Sequence, residues 1–211
     1  NVLSQLKGTA LKIAQMLSVD TGVLPKAYAD KFAAAQNNAM KLSAPLVMNT
    51  FRKYTGKAPK DIYDEFNIEA VAAASIGQVH LAYKNGKKLA VKIQYPGVAD
   101  SIHSDINMVK PLILRFMGIS ANVVEQYVQE IEERLIEETD YVKELANGVE
   151  ALDVAQNHPR IVVPKYYPEL SNQRILTMDW LEGISLNEFI KNETNQENRN
   201  IIGQALVDFF Q

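Results

Sequence analysis

Apolar residues in the first part of the chain recur at helical spacing. Steps of three and four place one apolar stripe on an amphipathic helix, and its members are Leu3, Leu6, Ala10, Ile13 and Leu17. Further helices are predicted over residues 26–38, 43–54 and 59–66, the second of them opened by Ser43 and closed by Gly56. The first 67 residues are therefore predicted to form a helical extension.

The pattern changes near Ile68 from helical to strand-like. Three β-type runs follow, at residues 70–75, 78–83 and 88–95. The last two flank Asn85-Gly86, and this pair predicts a tight hairpin because both residues tolerate positive φ.

Helical patterns then dominate residues 100–156, with a break near Gly118, and they resume near Ser185. Two more strands are predicted at residues 161–163 and 174–179. Five short strands interrupted by a helical block indicate an α+β fold, not the regular alternation of a doubly wound sheet.

The composition narrows the classes of function. The 211 residues are 47% apolar, which is enough for a sizeable core, and the net charge of −3 gives no basic field for nucleic acid or an anionic membrane. The absence of cysteine excludes disulfides and thiolate chemistry and agrees with an intracellular location. No apolar run reaches the roughly 20 residues needed to cross a bilayer. Because the chain opens at Asn1 and closes at Gln211 inside helical patterns, we expect it to be a fragment.

An alanine-rich stretch joins the first two predicted strands. It runs Ala72-Ala73-Ala74-Ser75-Ile76-Gly77-Gln78-Val79-His80. Small side chains let backbone N–H groups approach a phosphate, but the usual nucleotide loops use glycine, and the pattern G-x-x-x-x-G-K-[ST] is absent from the sequence. Taken alone, the stretch is more typical of tight packing at a strand end.

The third predicted strand carries Leu89-Ala90-Val91-Lys92-Ile93. Strand alternation places Ala90 and Lys92 on one face and the three large apolar residues on the other. This matches the kinase V-A-I-K strand, in which alanine leaves room for adenine and lysine holds the phosphates. A lysine in a strand is also common as a solvated edge residue, so this motif by itself leaves both interpretations open.

Two further motifs follow along the chain. The acidic stretch from Glu137 to Glu144 is predicted to lie on one long helix, where Glu137, Asp140, Tyr141 and Glu144 share a side. It is either a solvated acidic face or the source of a carboxylate for Lys92. The strand that ends at Met178-Asp179-Trp180-Leu181 resembles a kinase hinge, whose backbone groups meet the adenine edge, and Ser185 caps the helix after it.

These motifs, in this order, resemble the UbiB (AarF) family. The resemblance rests on the alanine-rich stretch, on Val91-Lys92-Ile93-Gln94-Tyr95-Pro96-Gly97-Val98, on Glu138-Thr139-Asp140-Tyr141 and on Leu11-Lys12-Ile13-Ala14-Gln15. It covers essentially the whole chain. It implies an atypical kinase-like ATPase or phosphotransferase linked to the metabolism of ubiquinone and related isoprenoid lipids, often peripheral to a membrane.

The resemblance also assigns roles to residues. Lys12 and Gln15 match a K-x-G-Q motif that covers the nucleotide pocket, with Ala14 in place of its glycine, and Glu138 and Asp140 match the E-x-D motif that faces it. Lys92 would hold the phosphates, with Glu144 as its ion-pair partner. The other expected nucleotide contacts are Ala73, Ala74, Ser75, Ala90, Met178, Asp179 and Leu181.

The expected organisation is a helical extension (1–67), a kinase-like N-lobe (68–180) and a hinge with the start of a truncated C-lobe (181–211). The motifs H-x-D-x-x-x-x-N and D-F-G are absent from the sequence, so the Mg²⁺ ligands are expected outside this chain, and the chain alone is expected to be inactive. Expected partners are ATP or ADP, an isoprenoid lipid or membrane surface, and ubiquinone-biosynthesis proteins. The alternative is a non-catalytic module that keeps the kinase shape and binds a lipid or a partner. His80, His103 and His158 lack metal-ligand spacing and are expected to be structural.

Overall fold

The fold is described from a computed structural model, which covers residues 41–74, 76–117, 121–156 and 158–210. The helices predicted before residue 41, with Lys12 and Gln15, and also Ser75, lie outside the described residues. The helices are α1 (Ala44–Thr55), α2 (Val98–Met117), α3 (Ala121–Glu138), α4 (Tyr141–Ala155), α5 (Leu186–Asn192) and α6 (Gln196–Phe210), with 3-10 turns at Pro59–Asp61 and Pro168–Leu170. The strands are β1 (Glu65–Phe66), β2 (Ala72–Ala73), β3 (Gly77–Lys84), β4 (Lys87–Gln94) and β5 (Ile175–Asp179).

The strands form one antiparallel sheet, which confirms the predicted α+β class. Its order is β1-β3-β4-β5, and β2 also pairs with β3. The hairpin between β3 and β4 turns at Asn85 and Gly86, whose φ angles of 51° and 74° are those that the Asn-Gly pair predicted. The long hairpin therefore places β4 at the centre of the sheet, between β3 and β5.

The two faces of β4 lead to two different cores. Leu89, Val91 and Ile93 are at most 1% exposed and form its outer face. This face packs with Phe51 of α1 and with Tyr63, in one apolar cluster. The outer core thus joins α1 to the sheet. The predicted domain boundary at residue 68 stays a prediction.

The inner face of β4 carries Ala90, Lys92 and Gln94, as strand alternation predicted. The inner core is smaller, and its buried members are Ile76, Val98, Tyr141 and Leu176. Because Tyr141 belongs to α4, this cluster joins the helical block to the sheet.

Three predicted elements were wrong in type or extent. Residues 161–163 form no strand: Val162 is 72% exposed, and the chain meets β5 only farther on, where Tyr166 bridges Met178. The predicted helix over 59–66 is only the 3-10 turn followed by β1, since pairing with β3 fixes residues 65–66 as extended. The run over 70–75 is reduced to the two residues of β2.

Candidate functional site

The centre of the candidate site is an ion pair between β4 and α4. Lys92 Nζ lies 3.0 Å from both carboxylate oxygens of Glu144, and the two side chains are 22% and 33% exposed. The pair joins residues 52 positions apart. The carboxylate that the acidic stretch was predicted to offer to Lys92 therefore comes from Glu144, in the first turn of α4.

Tyr141 lies against this ion pair. Its ring centroid is 4.9 Å from Lys92 Nζ, a distance at which the ring face attracts a cation. The side chain is fully buried, and its hydroxyl has no hydrogen-bond partner in the described part of the chain. Burial, helped by the charges of Glu144 and Glu138, raises the pKa of the Tyr141 hydroxyl. The phenol is therefore neutral, and its ring serves as an apolar wall beside a charged pair.

Tyr166 closes the site on the side of α4. A Cβ added at Gly148 would come within 2.3 Å of the Tyr166 ring, so α4 needs glycine at this position for the ring to pack on its backbone. Burial, and then the charge of Glu144, raises the pKa of Tyr166. The charge of the Glu144 carboxylate therefore contributes to the raised pKa of both Tyr141 and Tyr166.

The prediction that the acidic stretch lies on one long helix was wrong. Helix α3 ends at Glu138 and α4 begins at Tyr141. Asp140 caps α4, where its side chain accepts hydrogen bonds from the N–H groups of Val142 and Lys143 at 3.1 and 3.0 Å. The break turns the chain so that Glu138 and Glu144 border one cleft.

This cleft has a volume of about 680 Å³ and lies between β4, the end of α3 and α4. Charged side chains of both signs line it, including Lys92, Arg134, Glu138 and Glu144, while Gly148 and Tyr166 are among the uncharged residues of its wall. The volume is in the range of small-molecule sites.

The alanine-rich stretch contributes Ala72 and Ala73 to β2, and from Gly77 onward it belongs to β3. The Ala74 N–H donates to the Gly77 carbonyl at 2.8 Å, and the buried Ile76 accepts from the Tyr95 N–H at 2.9 Å. A Cβ added at Gly77 would lie 2.3 Å from the carbonyl oxygen of Ile93. Tight packing therefore explains Gly77, while phosphate contact by Ala73, Ala74 and Ser75 stays a prediction.

The predicted hinge is only partly free to meet a ligand. Met178 pairs with Ala90 beside the inner face. The Asp179 carboxylate instead accepts a 2.7 Å hydrogen bond from the Tyr167 hydroxyl of the outer core. The N–H groups of Asp179 and Trp180 donate to the carbonyls of Lys165 and Lys88. Neither N–H is therefore available to an adenine in this structure, whereas Leu181 is 47% exposed.

The comparisons with known proteins agree with a kinase-like fold. Residues 34–211 match the ABC1 atypical kinase-like domain. This chain belongs to the ABC1 family. It resembles the probable serine/threonine-protein kinase abkA of Dictyostelium discoideum at 32% identity, covering 99% of this chain and 40% of that protein. The atypical kinase COQ8, mitochondrial, of Saccharomyces cerevisiae is 32% identical over 98% of this chain and 42% of its own length.

A bacterial relative and a solved structure extend the comparison. The probable protein kinase UbiB of Klebsiella pneumoniae is 26% identical over 99% of this chain and 39% of its own length. The solved complex of Rv3197 with erythromycin from Mycobacterium tuberculosis is 33% identical, has a TM-score of 0.63, and is matched over 96% of this chain and 52% of its own. The chain thus spans about 40% of the length of these three curated relatives.

In this ABC1 chain, sequence reasoning missed Gln94 and Tyr166, and it placed Tyr141 on the helix face without giving it a role. The spacing of three between Tyr141 and Glu144 was a usable signal, because such residues share a helix face. No local sequence pattern indicated that Tyr166 lines the site. Among the described residues, no group of three His, Cys, Asp or Glu could hold a metal ion, and no helix is long and apolar enough to cross a membrane.

Proposed function

We propose that this chain is the ATP-gripping part of an atypical kinase-like ATPase or phosphotransferase. The observation that carries the proposal is the Lys92–Glu144 ion pair, which joins the inner face of β4 to the first turn of α4. Kinases use such a pair to hold the lysine where it meets the nucleotide phosphates. The ammonium of Lys92 would contact the phosphates, and Glu144 would orient it.

The rest of the pocket follows from the inner face of the sheet. Ala90 is small and half-buried beside Met178, which would leave room for the adenine ring. The turn at Ala73, Ala74 and Ser75 would cover the phosphates. The backbone carbonyl of Asp179 and the backbone of Leu181 would contact the edge of the adenine ring.

A Mg²⁺ ion bound with the nucleotide would supply neutralisation of the phosphate charge. No described cluster of residues fits such an ion, and the motifs that would hold it are absent from the sequence. The chain by itself is therefore proposed to bind the nucleotide without turning it over. Lys12 and Gln15, with Glu138 and Asp140, are proposed to control access to the pocket.

The wider role is also a proposal. Relatives named COQ8 and UbiB, together with the family resemblance, support a place in ubiquinone or related isoprenoid-lipid metabolism, with partners in that pathway and an intracellular site peripheral to a membrane. The substrate of any phosphoryl transfer is left unassigned.

The test is nucleotide binding by the full-length protein that contains this chain. MgATP or MgADP at a hundred times its Kd should raise the free energy of unfolding by about 2.7 kcal/mol. Lys92→Ala should remove most of this gain, and Glu144→Gln, with an affinity about tenfold weaker, should remove about half of it. Lys57→Ala is the matched control, because Lys57 is exposed, lies between α1 and β1, and is not among the residues that line the cleft. Absence of any nucleotide effect, or an unchanged effect in Lys92→Ala, would refute the proposal.

The alternative is a module that binds a lipid or a partner and keeps the kinase shape without its chemistry. It is supported by apolar side chains on α5 and α6 that are 41–59% exposed, namely Leu186, Ile190, Ile201, Leu206 and Phe209. Co-purification of an isoprenoid lipid, with no shift in melting temperature on adding MgATP, would favour this alternative over the ATPase.

A further inference from the structure

A second connection joins β4 to α4 beside the Lys92–Glu144 ion pair. Gln94 is the last residue of β4, is 1% exposed, and shares the inner face with Lys92. Its Nε2 donates to the carbonyl of Thr139 at 2.9 Å. Its Oε1 accepts from the guanidinium of Arg174, just before β5. Both ends of a buried amide are thus bonded within the protein, which fixes the orientation of the side chain.

The carbonyl that Gln94 reaches lies at the break between α3 and α4. Carbonyl groups at the end of a helix have no partner inside that helix. Thr139 is 8% exposed, so its carbonyl needs a partner from the protein, and Gln94 provides it. Asp140 follows and caps α4. The Gln94 bond therefore attaches the start of α4 to the end of β4.

The two connections run in parallel between the same elements. On β4, Lys92 contacts Glu144, and Gln94, two residues farther along, contacts Thr139 just before α4. The ring of Tyr141 lies against Lys92, between these two contacts in sequence. Glu144 is only about 4.5 Å along the axis from the first residue of α4, at 1.5 Å per residue. Fixing the start of α4 therefore also fixes the carboxylate.

The two connections respond differently to a ligand. The ion pair is partly exposed, so salt weakens it, and an incoming phosphate would compete with Glu144 for Lys92. The bond from Gln94 is buried, and its acceptor is an uncharged carbonyl. We therefore expect it to persist when Lys92 turns toward another anion.

We propose that Gln94 is a positioning residue that fixes α4 against β4 and so keeps Glu144 within reach of Lys92, with Arg174 holding the Gln94 amide in the required orientation. The consequence for nucleotide affinity rests on the proposed function. The consequence for the Lys92–Glu144 pair does not.

The first arm of the test needs no nucleotide. In the full-length protein, Gln94→Met keeps the side-chain size and removes the amide. The rate at which a lysine-acylating reagent labels Lys92, read by mass spectrometry against the exposed Lys57 in the same sample, should rise about tenfold, the ratio for a loss of 1.4 kcal/mol in pairing. Gln129→Met is the control, because the Gln129 amide bonds only to Glu133 on the exposed side of α3 among the described contacts. It should leave the ratio unchanged.

The second arm is a double-mutant cycle on MgATP affinity. Gln94→Met and Glu144→Gln should each weaken binding about tenfold, and together still about tenfold instead of a hundredfold, because both act through one element. Additive losses, or Lys92 labelling that does not change in Gln94→Met, would overturn the proposal. If the wild type binds no nucleotide, the proposed function fails and labelling alone decides the role of Gln94.

A second variant covers a failure of Gln94→Met to fold. Arg174→Met leaves Gln94 in place and removes only the group that holds its amide. Labelling of Lys92 should then rise about threefold, a smaller effect because one neutral hydrogen bond to Thr139 remains. An unchanged labelling rate in folded Arg174→Met would count against the proposed network.

Discussion

The outer and inner faces of β4 differ in how completely their polar groups are satisfied. On the outer side, the Tyr63 hydroxyl bonds Thr177 at 2.8 Å, and burial raises the pKa of Tyr63 to about 12. On the inner side, the buried hydroxyls of Tyr95 and Tyr141 have no partner among the described residues, and a half-exposed ion pair takes the place of an apolar contact.

The difference shows how one strand serves two purposes. Side chains alternate across a strand, so substitutions at Leu89, Val91 and Ile93 change packing, whereas a substitution at Lys92 changes the cleft. A closed apolar core adds stability with every buried group, whereas unsatisfied buried hydroxyls cost free energy and mark a place where packing was not the main requirement. Stability and ligand binding should therefore be separable by choosing the face.

The largest effect is expected on the outer face. Phe51 is fully buried, with its ring 5.4 Å from Phe66 and 6.1 Å from Tyr63. Phe51→Ala should lower the free energy of unfolding by about 3–5 kcal/mol, measured by denaturant titration. The milder Phe51→Leu should reduce stability less and leave the MgATP affinity of the folded protein unchanged. A loss of affinity in Phe51→Leu would show that the faces are coupled.

The next largest effect on stability is expected at Gly77, which lies in the alanine-rich stretch and pairs with Gln94 at the end of β4. Gly77→Ala places Cβ 2.3 Å from the Ile93 carbonyl oxygen, which the sheet cannot move without loss, and should cost about 1–3 kcal/mol in thermal or chemical unfolding. Gly203→Ala is the control: it lies in α6 with nothing within 4 Å of the added Cβ, and should gain up to about 1 kcal/mol. Equal effects of the two changes would contradict the packing argument.

A smaller effect is expected at the start of α4. Asp140→Ala removes the acceptor for two helix N–H groups and should cost about 1 kcal/mol in unfolding free energy. Asp140→Asn keeps the cap and removes the charge. If Asp140→Asn is as stable as the wild type but alters nucleotide binding, the E-x-D carboxylate acts beyond capping. If it alters neither property, capping is its whole role.

The smallest effect concerns pH. His80 is fully buried, bonded to the Asn67 carbonyl and to Gln78, and burial is the main reason that its pKa is lowered. In the unfolded chain the histidine has its ordinary pKa of about 6.5, so below that pH the unfolded chain binds a proton more readily than the folded protein does. Stability should thus be complete above that pH and should fall as pH decreases below it. In His80→Asn this part of the pH dependence should disappear, and an unchanged slope between about pH 7.5 and 5.5 would disprove the assignment.

Much of the chain could be predicted because its signals are local. The alternation on β4, the Asn85-Gly86 turn and the cap at Ser185, which accepts from the Glu188 N–H, each depend on residues a few positions apart. Side-chain periodicity and allowed φ values settle such features without reference to the rest of the protein.

Other features depended on contacts that no local pattern contains. Residues 65–66 are a strand because they pair with β3, and residues 161–163 are not a strand because none of the described residues pairs with them. Helix α3 ends at Glu138 and Asp140 caps α4, so the acidic stretch does not form a single helix face. The Gln94 side chain bonds Thr139, 45 positions away.

The sequence by itself thus determined which residues could share a strand face or a helix face, and named Lys92 and Glu144 as partners through a family resemblance. Only the tertiary structure decided that α4 starts where Gln94 holds it, with Tyr141 under the lysine. The physical reason is that periodicity is set by backbone geometry within one element, whereas the placement of elements is set by buried hydrogen bonds and packing between residues far apart in the chain.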